Sequence, residues 1–382
     1  MKVFISAVET SGDALAAELI EELRHRHSDI SVFGCGGPAL ASVGLKSIID
    51  IDQLSVFGPV DAIKALPKAI GASNKLAQAV LDEKPECAIF VDSWSFSKLV
   101  AKKIKKSAPE TLNIKYVAPQ VWASRPRRSE EISKYFDLLL CLFDFEIPYF
   151  NNANIPVRSV GHSGFQKTKS NLGDAHAFRL RYKIEDAPIL AILPGSRRTE
   201  VERHIEPFKM VTALLKERLP ELNLVLVAAP GVSAQFSDIL EDWPVPVQIV
   251  DHRQRNDAFA AADAALAASG TVTTELAIHN TPMVVCYKMA RLTAAYVRFA
   301  VTTPYASLVN IAAGREVIPE FIQERLTPVD VASALYPLLT GGEIREAQIA
   351  AFPPLIEKLS GNQGPAAGLA ADIILEWLGY DH

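Results

Sequence analysis

Residues 188–230 read PILAILPGSRRTEVERHIEPFKMVTALLKERLPELNLVLVAAP, and this one stretch points to the fold. PILAILP (188–194) is a continuous apolar run of strand length, closed by Pro194. IEPFKMVTALLKERL (205–219) repeats its apolar residues at helical spacing, and LNLVLVAAP (222–230) is a second apolar run. Apolar runs without polar alternation, joined by a helix, predict parallel strands buried on both faces. Gly195, Ser196, Arg197 and Arg198 fill the turn from strand to helix, a place where backbone N–H groups converge on an anion. GxxxxGK[ST] and GxGxxG are both absent, so the stretch carries neither the Walker nor the dinucleotide pattern.

The same alternation extends in both directions. Downstream come VQIVD (247–251), the helix NDAFAAAD (256–263), AALAAS (264–269) and PMVVCYKM (282–289). Upstream, KVFISAV (2–8) precedes a helix over 13–27 with Leu15, Leu19 and Leu23 on one face. VFGCG (32–36), ECAIFVD (86–92), IKYVAP (114–119), LLLCLF (138–143) and VRSVG (157–161) continue the series. The pattern predicts an α/β protein of two doubly wound parallel sheets, in domains 1–165 and 185–360. The last segment, 361–382, contains a helix over 364–379 that is expected to pack back on the first domain or to be swapped between the subunits of a dimer. A chain of 382 residues suits two such domains. Ligands of open parallel sheets bind beyond the carboxyl ends of the strands, so polar residues there are the site candidates.

Composition narrows the classes. A net charge of −5, with 22% charged residues, argues against a nucleic-acid partner. KLVAKKIKK (98–106) is either a local basic patch or the solvated face of a helix. Cys35, Cys87, Cys141 and Cys286 lie far apart in apolar surroundings without a CxxC pair, the pattern of reduced core thiols. A secretory signal and an apolar run of the roughly 18–20 residues that span a bilayer are both missing, which predicts a soluble or peripheral protein.

Four clusters fall at predicted strand ends. In ETSGD (9–13), Glu9 leaves the strand, Gly12 permits a tight turn, and Ser11 or Asp13 caps the helix unless the cluster meets a ligand. In DSWSFS (92–97), Asp92 is either a general base or a helix N-cap. Gly195, Ser196 and Arg197 form the phosphate-type turn. In ASGTVTTELA (268–277), Ser269, Gly270 and Thr271 open a second helix start, and Glu275 one turn on suits ribose hydroxyls or simple exposure.

With CGGPAL (35–40), YVAPQVWASR (116–125), VGH (160–162), SLVN (307–310) and PEFIQE (319–324), these clusters occur in the order and spacing of lipid-A-disaccharide synthases. The chain resembles that family over essentially its whole length. The resemblance implies a GT-B glycosyltransferase, two Rossmann-like domains facing across a cleft. It implies transfer of 2,3-diacylglucosamine from UDP to 2,3-diacylglucosamine 1-phosphate with inversion, and no metal or organic cofactor. It also implies a cytoplasmic enzyme, peripheral on the anionic surface of the inner membrane, and an intertwined homodimer among its assemblies.

Carried over residue by residue, the resemblance makes Asp92 the catalytic base, with Glu9 as the competing carboxylate and Arg197 on the leaving diphosphate. Gly195, Ser196, Arg197, Ser269, Gly270, Thr271, Glu275, Asn310 and Gln323 become UDP contacts. Ser11, Trp122 and Arg125 fall to the acceptor. Phe57 and Val60 in LSVFGPVDAIKALPKAI (54–70), and Tyr296 and Phe299 in ARLTAAYVRFAV (290–301), supply an apolar, Lys- and Arg-flanked entrance for acyl chains, or else ordinary core helices. The chain departs from the family pattern at Val8, in DSWSFS, at Ser163 and Gln166, and at Val309. The competing readings are an enzyme resembling UDP-N-acetylglucosamine 2-epimerase, another lipid-linked transferase, and a non-catalytic binder.

Overall fold

The computed structural model describes residues 1–51, 59–228, 242–290, 293–294, 297 and 301–380, with the side chains of 59–65 outside that description. Phe57, Tyr296, Phe299 and the Val60 side chain therefore lie outside the described residues. The chain forms two compact units, Met1–Ser163 with Gly361–His382, and Gly164–Ser360.

Unit 1 carries β1 (Lys2–Ala7), β2 (Ser31–Cys35), β3 (Cys87–Val91), β4 (Leu112–Tyr116), β5 (Leu138–Cys141) and β6 (Val157–Ser159). They pair in parallel in the order β2-β1-β3-β4-β5-β6. The chain moves from β1 out to β2, then crosses back to lay β3 on the other side of β1. That reversal opens a crevice between the ends of β1 and β3. Phe4, Phe90 and Phe136 pack in series through the core, tilted and edge-to-face, with ring centroids 5.9 and 5.7 Å apart.

Unit 2 carries β7 (Ile189–Leu193), β8 (Asn223–Val227), β9 (Val247–Val250), β10 (Ala264–Ala268), β11 (Met283–Tyr287) and β12 (Glu320–Ile322). Their order, β12-β11-β10-β7-β8-β9, is the doubly wound dinucleotide-domain order with its reversal between β7 and β10. β3, β7 and β10 are buried at every position, which is why they read as unbroken apolar runs. β12 was not expected as a strand; three residues at a sheet edge leave too little pattern to recognise.

Helix starts also differ from expectation. α1 (Thr10–Arg26) begins three residues before the predicted start. The helix after β7 runs Arg198–Arg218 and includes Pro207. Both first turns are polar, so apolar periodicity misses them, while the extended backbone of Glu9 and Arg197 marks the true N-caps. α2 (Pro38–Ser42), α3 (Pro59–Glu83) and α4 (Trp94–Ser107) follow along the chain. The KLVAKKIKK run lies on α4 and is tied down. Lys98 pairs with Glu131 at 2.6 Å, Lys105 with Asp137 at 2.5 Å, and Lys103 donates to Ser73 Oγ at 2.6 Å. All four cysteines are buried free thiols.

The helix Ala366–Trp377 lies on α1, with Ile374 and Leu375 buried and Arg26 of α1 paired to Asp372.

Candidate active site

In unit 1, Glu9–Ser11 and Asp92 leave adjacent strands side by side at the sheet reversal. The Ser11 hydroxyl donates to Asp92 Oδ2 at 3.2 Å, and the Ser93 N–H donates to Asp92 Oδ1 at 2.8 Å. Asp92 and Ser93 take left-handed φ of 53° and 37°, and the Asp92 N–H is held by the Tyr116 carbonyl at 3.0 Å. This sharp turn lifts the carboxylate off the strand end and leaves it half-buried.

Neither capping assignment survives. Ser93, not Asp92, is the N-cap residue of α4, and it makes no side-chain cap. Asp13 is buried within α1, and its carboxylate reaches across to the N–H groups of Gly37 (2.7 Å), Ala39 (2.8 Å) and Leu40 (3.3 Å), capping α2 instead. Glycine at 37 lets the carboxylate come close, because a Cβ there would sit 2.8 Å from Asp13 Oδ2 and displace it. Ser11 serves Asp92 rather than a helix end, and Glu9 is the exposed N-cap residue of α1 without a side-chain cap.

Directly beneath Asp92 lies a residue the sequence reading passed over. Lys115, on β4, is 1% exposed, and its Nζ donates to the carbonyls of Phe90 (3.2 Å), Tyr116 (3.3 Å) and Asp92. Burial pulls its pKa down to about 8 against the opposing pull of Asp92 and Glu9. The only signal in the sequence was a lysine inside an otherwise apolar run.

Arg125 is exposed, with φ 55°. Trp122 is 7% exposed, and its indole N–H donates to Glu146 Oε1 at 3.1 Å. Its ring is packed inside the unit. Glu146 also accepts the N–H groups of Leu142 and Phe143, both at 3.1 Å, and burial pushes its pKa up to about 7.

In unit 2, Gly195–Arg197 and Ser269–Thr271 follow β7 and β10, the two strands at that sheet's reversal. Gly195 has φ 130°, and a Cβ there would meet Glu200 Cβ at 2.7 Å. Glu200, three residues into the helix, folds back over this turn. Its Oε2 accepts the Ser196 N–H at 3.3 Å and its Oε1 takes Arg197 Nη1 at 3.0 Å, with Tyr287 Oη 3.5 Å away. A carboxylate thus already sits on the donors that the sequence assigned to a phosphate. The Arg197 side chain is 64% exposed.

Gly270 is the exposed N-cap residue of the helix Thr271–Ile278, and a Cβ added to it meets open space. Thr271 is exposed beside it, while Ser269 Oγ donates to the Ala306 carbonyl at 2.9 Å. Glu275 is half-buried rather than a surface residue. Its pKa is raised by burial, and Arg255 Nε opposes this from 3.4 Å.

Two residues assigned to UDP are engaged within the protein. Asn310 is wholly buried: its Oδ1 accepts from Val317 (2.8 Å) and Ile318 (2.9 Å), and its Nδ2 donates to Ile318 O (2.8 Å) and Glu320 Oε1 (2.7 Å). No donor or acceptor of that amide remains for a ligand. Gln323, with φ 56°, clamps Met289 from both sides, accepting its N–H at 3.2 Å and donating to its carbonyl at 3.3 Å. Glu320 and His204, neither singled out by the sequence, complete the bracing. Glu320 accepts from the Ala306 and Ser307 N–H groups at 2.7 and 2.9 Å.

A chain of two doubly wound parallel units, each with polar turns at its own sheet reversal, is of the GT-B class, which includes glycosyltransferases and sugar-nucleotide epimerases. The S. aureus MnaA-UDP co-structure has the same fold, with a TM-score of 0.67 at 13% identity, covering 100% of this chain and 97% of that one. Sequence likeness is closer and more specific. The Lipid-A-disaccharide synthase of Rhodospirillum centenum is 35% identical over 376 residues, 98% of this chain and 94% of that protein. That of Gluconobacter oxydans is 36% identical over 381 residues, 98% and 90% of the two chains. The Lipid-A-disaccharide synthetase family model matches residues 3–374. The chain belongs to the lipid-A-disaccharide synthase family and is a glycosyltransferase of lipid A biosynthesis.

Proposed function

We propose that the chain joins UDP-2,3-diacylglucosamine to 2,3-diacylglucosamine 1-phosphate, releasing UDP and inverting the anomeric carbon, with unit 2 holding the donor and unit 1 the acceptor. The observation that carries this reading is Glu200 lodged on Ser196 and Arg197, because those donors bind an anion even within the protein. The donor's diphosphate replaces that carboxylate. As the bond from the anomeric carbon to the diphosphate oxygen breaks, negative charge grows on the β-phosphate. Once Glu200 has moved off, Arg197, the Ser196 N–H and the helix start at Gly270–Thr271 stabilise it. Ser269 shapes that second turn, and Glu275 takes the ribose hydroxyls. The acceptor hydroxyl forms the new bond and gives its proton to Asp92, which Ser11 orients. Exposed Glu9 is the alternative base, and exposed Arg125 is the counter-charge for the acceptor phosphate.

Among the described residues no helix is long and apolar enough to cross a membrane. Exposed Leu66 and Ile70, one turn apart on α3, support peripheral attachment to a membrane surface. An intertwined dimer would place the helix Ala366–Trp377 on a partner's α1.

The test is to supply both diacylglucosamine substrates and measure UDP and disaccharide phosphate together. Wild type is expected to form both in equal amounts. Arg197→Ala is expected to lose about 10²–10³-fold in turnover, and Asp92→Asn about 10²–10⁴-fold with UDP affinity retained. Wild-type rates in either variant remove that residue from the mechanism.

A further inference from the structure

Lysine is rarely placed where Lys115 is. Moving an ammonium out of water costs several kcal/mol even after relaxation, and the neighbouring strand positions are filled by apolar side chains at no such cost. What the site offers in return is geometric. The ammonium has three N–H donors, and the carbonyls of Phe90, Asp92 and Tyr116 face it where β3 and β4 end. The Asp92 carbonyl belongs to a turn of two consecutive left-handed residues, Asp92 and Ser93. Such a conformation costs about 1–2 kcal/mol per non-glycine residue and persists only where the surroundings impose it.

We propose that Lys115 is a positioning residue for Asp92: its ammonium grips the Asp92 carbonyl, holds the Asp92–Ser93 turn, and so keeps the carboxylate presented toward Ser11 and the acceptor hydroxyl. The proposal rests on the reading of Asp92 as the base. It also carries a pH signature. The charged groups acting on Lys115 are Asp92 from the end of β3 and Glu9 from the end of β1, both favouring the ammonium, while burial sets its pKa at about 8. The neighbouring Tyr116 phenol is held neutral, its pKa raised by burial. As pH rises through about 8, Lys115 loses one of three donors together with its charge. The turn is then released and turnover falls.

The experiment assays the full chain from pH 6 to 10 as wild type, Lys115→Met, Asp92→Asn and the double variant, with thermal unfolding and UDP affinity as controls. Wild type is expected to show an alkaline limb in kcat near pH 8. Lys115→Met is expected to lose about 10²-fold in kcat, the scale of a misplaced catalytic group, with donor KM changed less than about 2-fold and the limb abolished. In the Asp92→Asn background the same substitution is expected to cost less than about 2-fold more, because residues acting through one another are not additive. A wild-type kcat without the limb overturns the proposal even if Lys115→Met does not fold. So does a folded Lys115→Met with full activity, or an equal loss in both backgrounds. Wild-type rates in Asp92→Asn alone instead sink the base reading, and this proposal with it.

Discussion

His204 has no exposed surface, and both of its ring nitrogens are used: Nδ1 meets the Pro194 carbonyl at 2.9 Å and Nε2 accepts the Lys288 N–H at 2.9 Å. Only the neutral ring protonated at Nδ1 satisfies both, so the geometry assigns the tautomer. The ring pins the Gly195–Arg197 turn to the end of β11. Burial lowers its pKa, with Pro194 and Glu200 opposing. The unfolded chain protonates this histidine near pH 6.5 and the folded chain only below that. Its contribution is therefore complete above about pH 6.5 and is lost as pH falls through the folded pKa. Wild type is expected to lose Tm between pH 7.5 and 5 more steeply than His204→Gln, measured by thermal unfolding; parallel slopes would remove this role. In the sequence, His204 is one polar residue on a charged helix face. Asn310 was legible as a matched family position, but whether its amide faced a ligand or Glu320 depended on a partner ten residues away in a separate element.

Among the elements, strands were the most legible and helix starts the least. β3, β7 and β10 are buried on both faces, and that burial is written directly as apolar runs. α2 shows the opposite case. Five residues starting at Pro38 have no periodicity to detect, and the helix is held by Asp13, 24 to 27 residues earlier. The CGGPAL stretch is thereby explained as a cap site in which Gly37 lets the carboxylate approach. Asp13→Ala would leave the Gly37, Ala39 and Leu40 N–H groups, one buried and two partly buried, without this acceptor, and is expected to destabilise unit 1 by about 2–3 kcal/mol. Chemical denaturation would read this as a lower midpoint, with Asp13→Asn intermediate. The basic run on α4 was equally opaque, because the partners of Lys98 and Lys105, Glu131 and Asp137, lie 33 and 32 residues away.

At the scale of the whole molecule, the chain leaves unit 1, builds unit 2, and returns to unit 1 for its last segment. The helix Ala366–Trp377 buries Ala370, Ala371, Ile374 and Leu375. Full burial of side chains such as Ile and Leu contributes about 1.5–3 kcal/mol each. Deleting residues 361–382 is expected to make unit 1 sensitive to limited proteolysis at temperatures where unit 2 still resists. Simultaneous cleavage of both units, or of neither, would contradict this.

The sequence alone determined the two parallel sheets, the polar turns after their strands and the family, because apolar runs and turn residues are local along the chain. Only the tertiary structure decided which polar groups meet. Ser11 and Asp92 are 81 residues apart, Lys115 and Asp92 are 23, and His204 and Lys288 are 84. A hydrogen bond requires approach to about 3 Å, and sequence periodicity specifies which face of an element is buried without specifying which atoms oppose one another across it.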